Sequence, residues 1–325
     1  ESIDLAAQEE LNMLTCQTKA DTETVRLFSG PVKFKEDGEF KLIDNTIKSR
    51  GGMQRMFSKY AFENAANSIK TYFPKQVNSG VLVEKNETSI ELIPITQQNP
   101  DGITMQSTFG TQTQQVVHYQ NAFGSGQHLQ YAPVNTGLKE NILLDAYAGV
   151  NAYSYIVKTD LIPTVDDRTV VFKTPDTKET KAVMQATFMQ DSCATDPHFS
   201  FDNDYQVTKT DDGVYLLTML LDEVFLTSES TVYPVLIDPN LVIVEKNEPG
   251  YDLKVIQTTT VYSGDKTRVG YNDVWNQVGD NGSKGEGLMY VKIHLPDSLK
   301  NINPEKLTRV VFKVREGSGR TDIST

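Results

Sequence analysis

Acid–base chemistry in a protein needs an imidazole, carboxyl or thiol placed beside a partner. The four histidines, His118, His128, His198 and His294, stand in unrelated settings. His118 and His294 fall in strand-like runs, where a surface or hydrogen-bonded core imidazole is the ordinary expectation. Cys193 precedes His198 by five residues in Asp191-Ser192-Cys193-Ala194-Thr195-Asp196-Pro197-His198. Nucleophile and base normally come from distant parts of a chain, so this run reads as a loop with an inert thiol. Cys16 and Cys193 would close a very long loop if joined, and both read as thiols rather than a disulfide.

Metal-binding patterns are equally sparse. His-x-Glu, Cys-x-x-Cys and His-Glu-x-x-His do not occur, so zinc has no local signature. Asp202-Asn203-Asp204, Asp211-Asp212-Gly213 and Asp280-Asn281-Gly282-Ser283 could offer oxygen ligands to calcium. None has the spacing and final Glu of an EF-hand loop, so they read as solvated turns. Gly279 to Gly287 holds Lys284 but lacks the Gly-Lys-Ser/Thr of a phosphate loop. No catalytic, cofactor or metal site is therefore expected. The sole ligand-binding candidates are Tyr271 and Trp275, in an aromatic and amide-rich stretch with Tyr262, Asn276 and Gln277. Core packing of Trp275 is the favoured alternative there.

The elements that would position such residues are mostly strands. Ser2 to Leu14 places Ile3, Ala6, Ala7, Leu11 and Leu14 at helical spacing behind a Ser N-cap, which predicts a short helix. From Pro31 the period becomes two. A three-residue loop Glu36-Asp37-Gly38 would pair Phe34 with Phe40 and Val32 with Leu42, gathering the large apolar residues on one face. Phe62 to Phe73 suits either a helix or strands, with the β-rich surroundings favouring strands. A second hairpin is predicted for Val81-Leu82-Val83 and Ile90-Glu91-Leu92 around Asn86-Glu87, followed by a polar loop over Gln97 to Gln115. Strand signals then recur at turn-separated intervals up to Val232–Ile237, without long helical runs. The class expected is all-β, with antiparallel sandwich-type modules and a short N-terminal helix. Asp238-Pro239 and Pro249-Gly250 mark a boundary, giving an N-terminal segment 1–30, a large β domain 31–240 and a second β domain 251–325.

The 325 residues carry 31 Lys and Arg against 43 Asp and Glu, a formal charge of −12. That balance opposes phosphate backbones and anionic lipid, so neither nucleic acid nor membrane insertion is expected. The apolar run Val214 to Leu221 is far short of the roughly 20 residues of a membrane helix. The chain begins at Glu1 without a signal-peptide pattern, so such a peptide is expected to have been removed or to lie outside it.

Three segments in order carry a family likeness: Pro31-Val32-Lys33-Phe34-Lys35-Glu36-Asp37-Gly38-Glu39-Phe40-Lys41-Leu42 with Ile43-Asp44-Asn45-Thr46; Gly137-Leu138-Lys139-Glu140-Asn141-Ile142; and Tyr233-Pro234-Val235-Leu236-Ile237-Asp238-Pro239. Together they resemble the amino-terminal region of bacterial wall-associated, YD-repeat (Rhs-like) cell-surface proteins. Val269-Gly270 and Leu288 to Pro296 resemble the first half of a DNRLRE domain, with the likeness ending about midway through such a module. The resemblance implies secretion and a bacterial surface location. On it we expect a non-enzymatic module that binds a host macromolecule, either a protein such as an immunoglobulin or a glycan. The alternatives are a purely structural scaffold of a YD-repeat surface or toxin-delivery protein, and a polysaccharide-active enzyme.

Overall fold

The computed structural model describes residues 2–3, 11–19, 22–28, 30–51, 58–109, 112–195, 197–244, 256–262, 279–280 and 286–293. The chain splits into two compact units, with divisions after Phe40 and after Val244. It is all-β and antiparallel, as composition and turn spacing predict. Among the described residues no helix is long and apolar enough to cross a membrane.

In the first unit β1 (Ser2–Ile3), β2 (Met13–Lys19) and β3 (Thr22–Leu27) form one sheet, and β4 (Lys33–Glu36) pairs with β5 (Glu39–Leu42), the strand along which the division after Phe40 falls. The helix expected over Ser2 to Leu14 is corrected at both described ends. Ile3 pairs with Cys16, and Met13 starts a strand opposite Leu27. Helical spacing of apolar residues is a local signal, and cross-strand pairing that buries Met13 and Cys16 overrides it. The β4–β5 register is corrected as well. Asp37 and Gly38 both have positive φ, 54° and 86°, which makes a two-residue turn of the kind that matches strand twist. Phe34 is buried on one side, while Phe40 lies between the ammonium groups of Lys33 and Lys35, 4.8 and 4.7 Å from its centroid. The two phenylalanines thus occupy opposite faces.

The second unit opens with β6 (Asp44–Ser49), β7 (Tyr60–Ala66), β8 (Lys70–Pro74), β9 (Val81–Lys85) and β10 (Thr88–Pro94). Next come β11 (Ile103–Phe109), β12 (Gln112–Gly124), β13 (Gln127–Val134), β14 (Gly137–Leu144), β15 (Ala152–Lys158), β16 (Ile162–Asp166), β17 (Thr169–Lys173) and β18 (Thr180–Met184). The last are β19 (Phe188–Gln190), β20 (Phe199–Ser200), β21 (Asp204–Asp211), β22 (Val214–Leu220), α1 (Glu223–Thr227), β23 (Val235–Asp238) and β24 (Asn240–Ile243).

One sheet runs β21-β22-β15-β10-β9-β8-β7-β6. The other runs β11-β12-β13-β14-β24-β18-β17-β16, with β23 joining β14 to β19. The stretch left between helix and strand is therefore the β7–β8 hairpin, and the predicted polar loop contains the edge strand β11. Its Thr, Gln and Ser residues suit an edge, where side chains face water.

Tyr155 and Leu92 from one sheet, and Tyr131, Leu129 and Ile142 from the other, are nearly inaccessible to solvent. The Tyr119 hydroxyl crosses between sheets to the Pro74 carbonyl at 2.7 Å. Gly137 lets β14 and β24 approach, since a Cβ there would stand 2.0 Å from the Leu241 carbonyl oxygen.

Candidate functional site

Segments 137–142 and 233–239 meet at the centre of the larger sheet. Ile142 pairs with Ile237 and Lys139 with Asn240, so Glu140 stands beside Pro239, whose carbonyl accepts its N–H at 3.1 Å. Successive side chains of a strand point to opposite faces. Glu140 enters the space between the sheets, while Lys139 lies on the other face and forms an ion pair with Asp238.

The Tyr155 hydroxyl, on the opposing sheet, donates to Glu140 Oε1 at 2.6 Å. Glu140, Tyr155, Tyr205, Met184 and Met219 border a small void of about 10 Å³. Burial drives the Glu140 pKa up to about 7, against the opposing effect of the Tyr155 and Tyr131 hydroxyls and with some repulsion from Asp238. Burial also raises Asp238, with Lys139 opposing. The Tyr131 hydroxyl and Asp238 Oδ1 are buried without an aligned hydrogen bond.

Across the far face runs a polar row in which His118 pairs with Gln130, and Gln130 with Asn141. Ser107 Oγ donates to Gln130 Oε1 at 2.9 Å, so the Gln130 amide N–H points at His118 Nδ1, 3.2 Å away. The Asn121 N–H donates to His128 Nδ1 at 3.1 Å. The His128 proton therefore sits on Nε2, facing Asp145 Oδ2 at 3.1 Å. The rings lie 5.4 Å apart, and burial, aided by His128, lowers the His118 pKa. Both imidazoles are hydrogen-bonded within the sheet, the role expected of His118 from its strand setting.

Asp191 and His198 form a third arrangement, in the loop between β19 and β20. His198 Nδ1 lies 2.7 Å from Asp191 Oδ2, with Asp191 shielded from solvent and the imidazole 47% exposed. The same carboxylate accepts backbone N–H groups from Cys193 (3.2 Å), His198 (2.8 Å) and Val232 (3.1 Å). Burial pushes Asp191 up, but these hydrogen bonds, led by that of His198, outweigh it and hold its pKa below the ordinary value. Chemically this is an oriented imidazole on a fixed carboxylate, and structurally it pins the loop to the approach of β23.

Tyr271 and Trp275 lie outside the described residues. Among the described residues no group of three or more His, Cys, Asp or Glu could hold a metal ion. Two of the three acidic clusters have other partners, and residues 281–283 of the third lie outside the described residues. Asn203 is buried and donates to the Thr187 and Ser200 carbonyls, Asp202 pairs with Arg168 at 2.9 Å, and Asp212 pairs with Lys209 at a β21–β22 turn. Both cysteines are thiols. Sequence reasoning missed Glu140 and Asp238 as a site, although both sit in the quoted family segments. It also passed over Asp191, whose signal was its position seven residues before His198.

The chain matches no known family model and no solved structure. It is similar to curated WapA proteins of Bacillus. It is 30% identical over 190 residues to the tRNA3(Ser)-specific nuclease WapA of Bacillus spizizenii, covering 55% of this chain and 8% of that protein. It is 29% identical over 228 residues to the tRNA(Glu)-specific nuclease WapA of Bacillus subtilis subsp. natto, covering 66% of this chain and 9% of the relative. The tRNA nuclease WapA of Bacillus subtilis strain 168 gives the same identity and coverage. The chain thus spans under a tenth of the length of these relatives. The likeness supports a cell-surface or secreted protein. It corrects the expectation that no enzyme is involved: that reading rested on missing local motifs, whereas the relatives sharing this segment are named as tRNA nucleases.

Proposed function

We propose that this chain is a wall-exposed β segment of a nuclease of the WapA kind, acting as the folded scaffold through which that nuclease is displayed or delivered. The observation that carries the reading is the likeness to WapA nucleases over more than half of the chain. Segments 137–142 and 233–239 agree with it, since they join strands at the centre of the larger sheet, as a scaffold requires. In this reading the bacterial surface is the location, and RNA cleavage is the activity of the protein to which the segment belongs.

The test compares the whole protein with a form lacking residues 41–244. The intact protein should be recovered from the wall fraction and should degrade purified tRNA, and the deletion should remove it from the wall. An intact protein that leaves tRNA whole would sink the nuclease assignment. A deletion that keeps wall display but loses adherence to host protein or glycan would favour the host-binding module.

A further inference from the structure

Glu140 is buried at the contact between the two sheets, with the Tyr155 hydroxyl of the opposing sheet on its carboxyl group. We propose that Glu140 is a proton-dependent fastener between the two sheets of the second unit, closing their contact as a neutral acid and weakening it when ionised.

The groups around it come from four other strands. Tyr131 faces it from β13, Tyr155 from β15, Tyr205 from β21 and Asp238 from β23. Lys139, next to it in sequence, gives its ammonium group to Asp238 on the opposite face. Tyr155 donates a hydrogen bond across the sheets whichever state Glu140 is in. The neutral acid adds a donor of its own, and the neighbouring Tyr131 hydroxyl, buried without an aligned hydrogen bond, is an acceptor for it.

The carboxylate loses that donor and leaves a charge between apolar walls that include Leu92, Leu217 and Met219. The void of about 10 Å³ has room for no more than a single water. Asp238 adds repulsion through the sheet. The raised pKa of Glu140 agrees with this geometry, because burial without sufficient donors favours the neutral form.

The fold therefore gains from holding a proton that the unfolded chain releases at lower pH. Such a group stabilises the fold fully below its unfolded pKa, and that stability is lost as pH rises towards the folded value.

The test is urea unfolding of the full chain at pH 5 to 9, wild type beside Glu140→Gln, whose amide copies the shape of the neutral acid. The wild-type folding constant should fall between pH 5 and 7 by up to about tenfold per pH unit and level off above. Glu140→Gln should abolish most of that fall and be the more stable protein at pH 9. A wild-type stability that is flat or rises from pH 5 to 7.5 overturns the proposal, and this needs no variant to fold. A Glu140→Gln profile that falls as steeply as the wild type also overturns it, because the titrating group would then lie elsewhere.

Discussion

Glu140 and Asp191 are both buried carboxyl groups in the second unit, yet their surroundings shift their pKa values in opposite directions. Asp191 sits where a loop turns back on itself, and three backbone N–H groups and one imidazole converge on it. Glu140 sits between regular strands, whose N–H groups are spent on neighbouring strands, so a tyrosine hydroxyl is its main donor. Burial pushes both pKa values up, and the supply of donors decides the outcome. A loop can aim backbone donors at a charge; the inner face of a sheet cannot.

Removing the Asp191 carboxylate should break this contrast most severely. Asp191→Ala leaves the convergent N–H groups without an acceptor and should cost roughly 3–5 kcal/mol in urea unfolding. Alanine at Asp191 with a cost under about 1 kcal/mol would mean that water replaces the carboxylate and that the loop does not depend on it.

The second prediction concerns pH. The folded pKa of Glu140 is about 7 against an ordinary 4.5, so its stabilising contribution is present below 4.5 and lost as pH rises to 7, by about 3 kcal/mol. Asp238, also raised, acts in the same direction. Asp191 is lowered from 3.8, so its contribution is present above 3.8 and lost as pH falls through its folded value. From these groups the stability maximum should lie on the acidic side of neutrality, and urea midpoints measured at half-unit intervals from pH 3 to 9 would locate it.

Two smaller changes sharpen the comparison. Tyr155→Phe removes the cross-sheet donor to Glu140 and should cost about 1–2 kcal/mol, with the larger loss above pH 7. His198→Ala leaves Asp191 its backbone donors and removes a half-exposed partner, so a loss of about 0.5–1 kcal/mol is expected. A larger effect for His198→Ala than for Asp191→Ala would reverse the roles assigned to the pair.

Much of the fold was readable because strand and turn signals are local. Asn86, with φ 50°, turns the hairpin that pairs Ile90 with Val83, as the flanking apolar runs predict. The failures lie where two local solutions compete. Asp37-Gly38 fits both a two-residue and a three-residue turn, and the choice was settled by burial of Lys33, whose Nζ donates to the Met13 carbonyl at 2.6 Å. Ser2 to Leu14 carries a helical period, but its strand partners are supplied from further along the chain. The candidate site was least readable. Glu140 stands 15 residues from Tyr155 and 98 from Asp238 by their sequence numbers, and only the β14–β23 register and the packing of the two sheets bring the three together. Asp191 and His198 were close in sequence, but their hydrogen bond depends on the path of the loop.

One carboxyl-carbon NMR titration of the intact chain would record both groups in the same sample. The account predicts that the Glu140 side-chain carbon titrates near pH 7 while that of Asp191 titrates below 3.8. Titration of both between pH 4 and 5 would show that donor supply does not separate them, and would contradict the account.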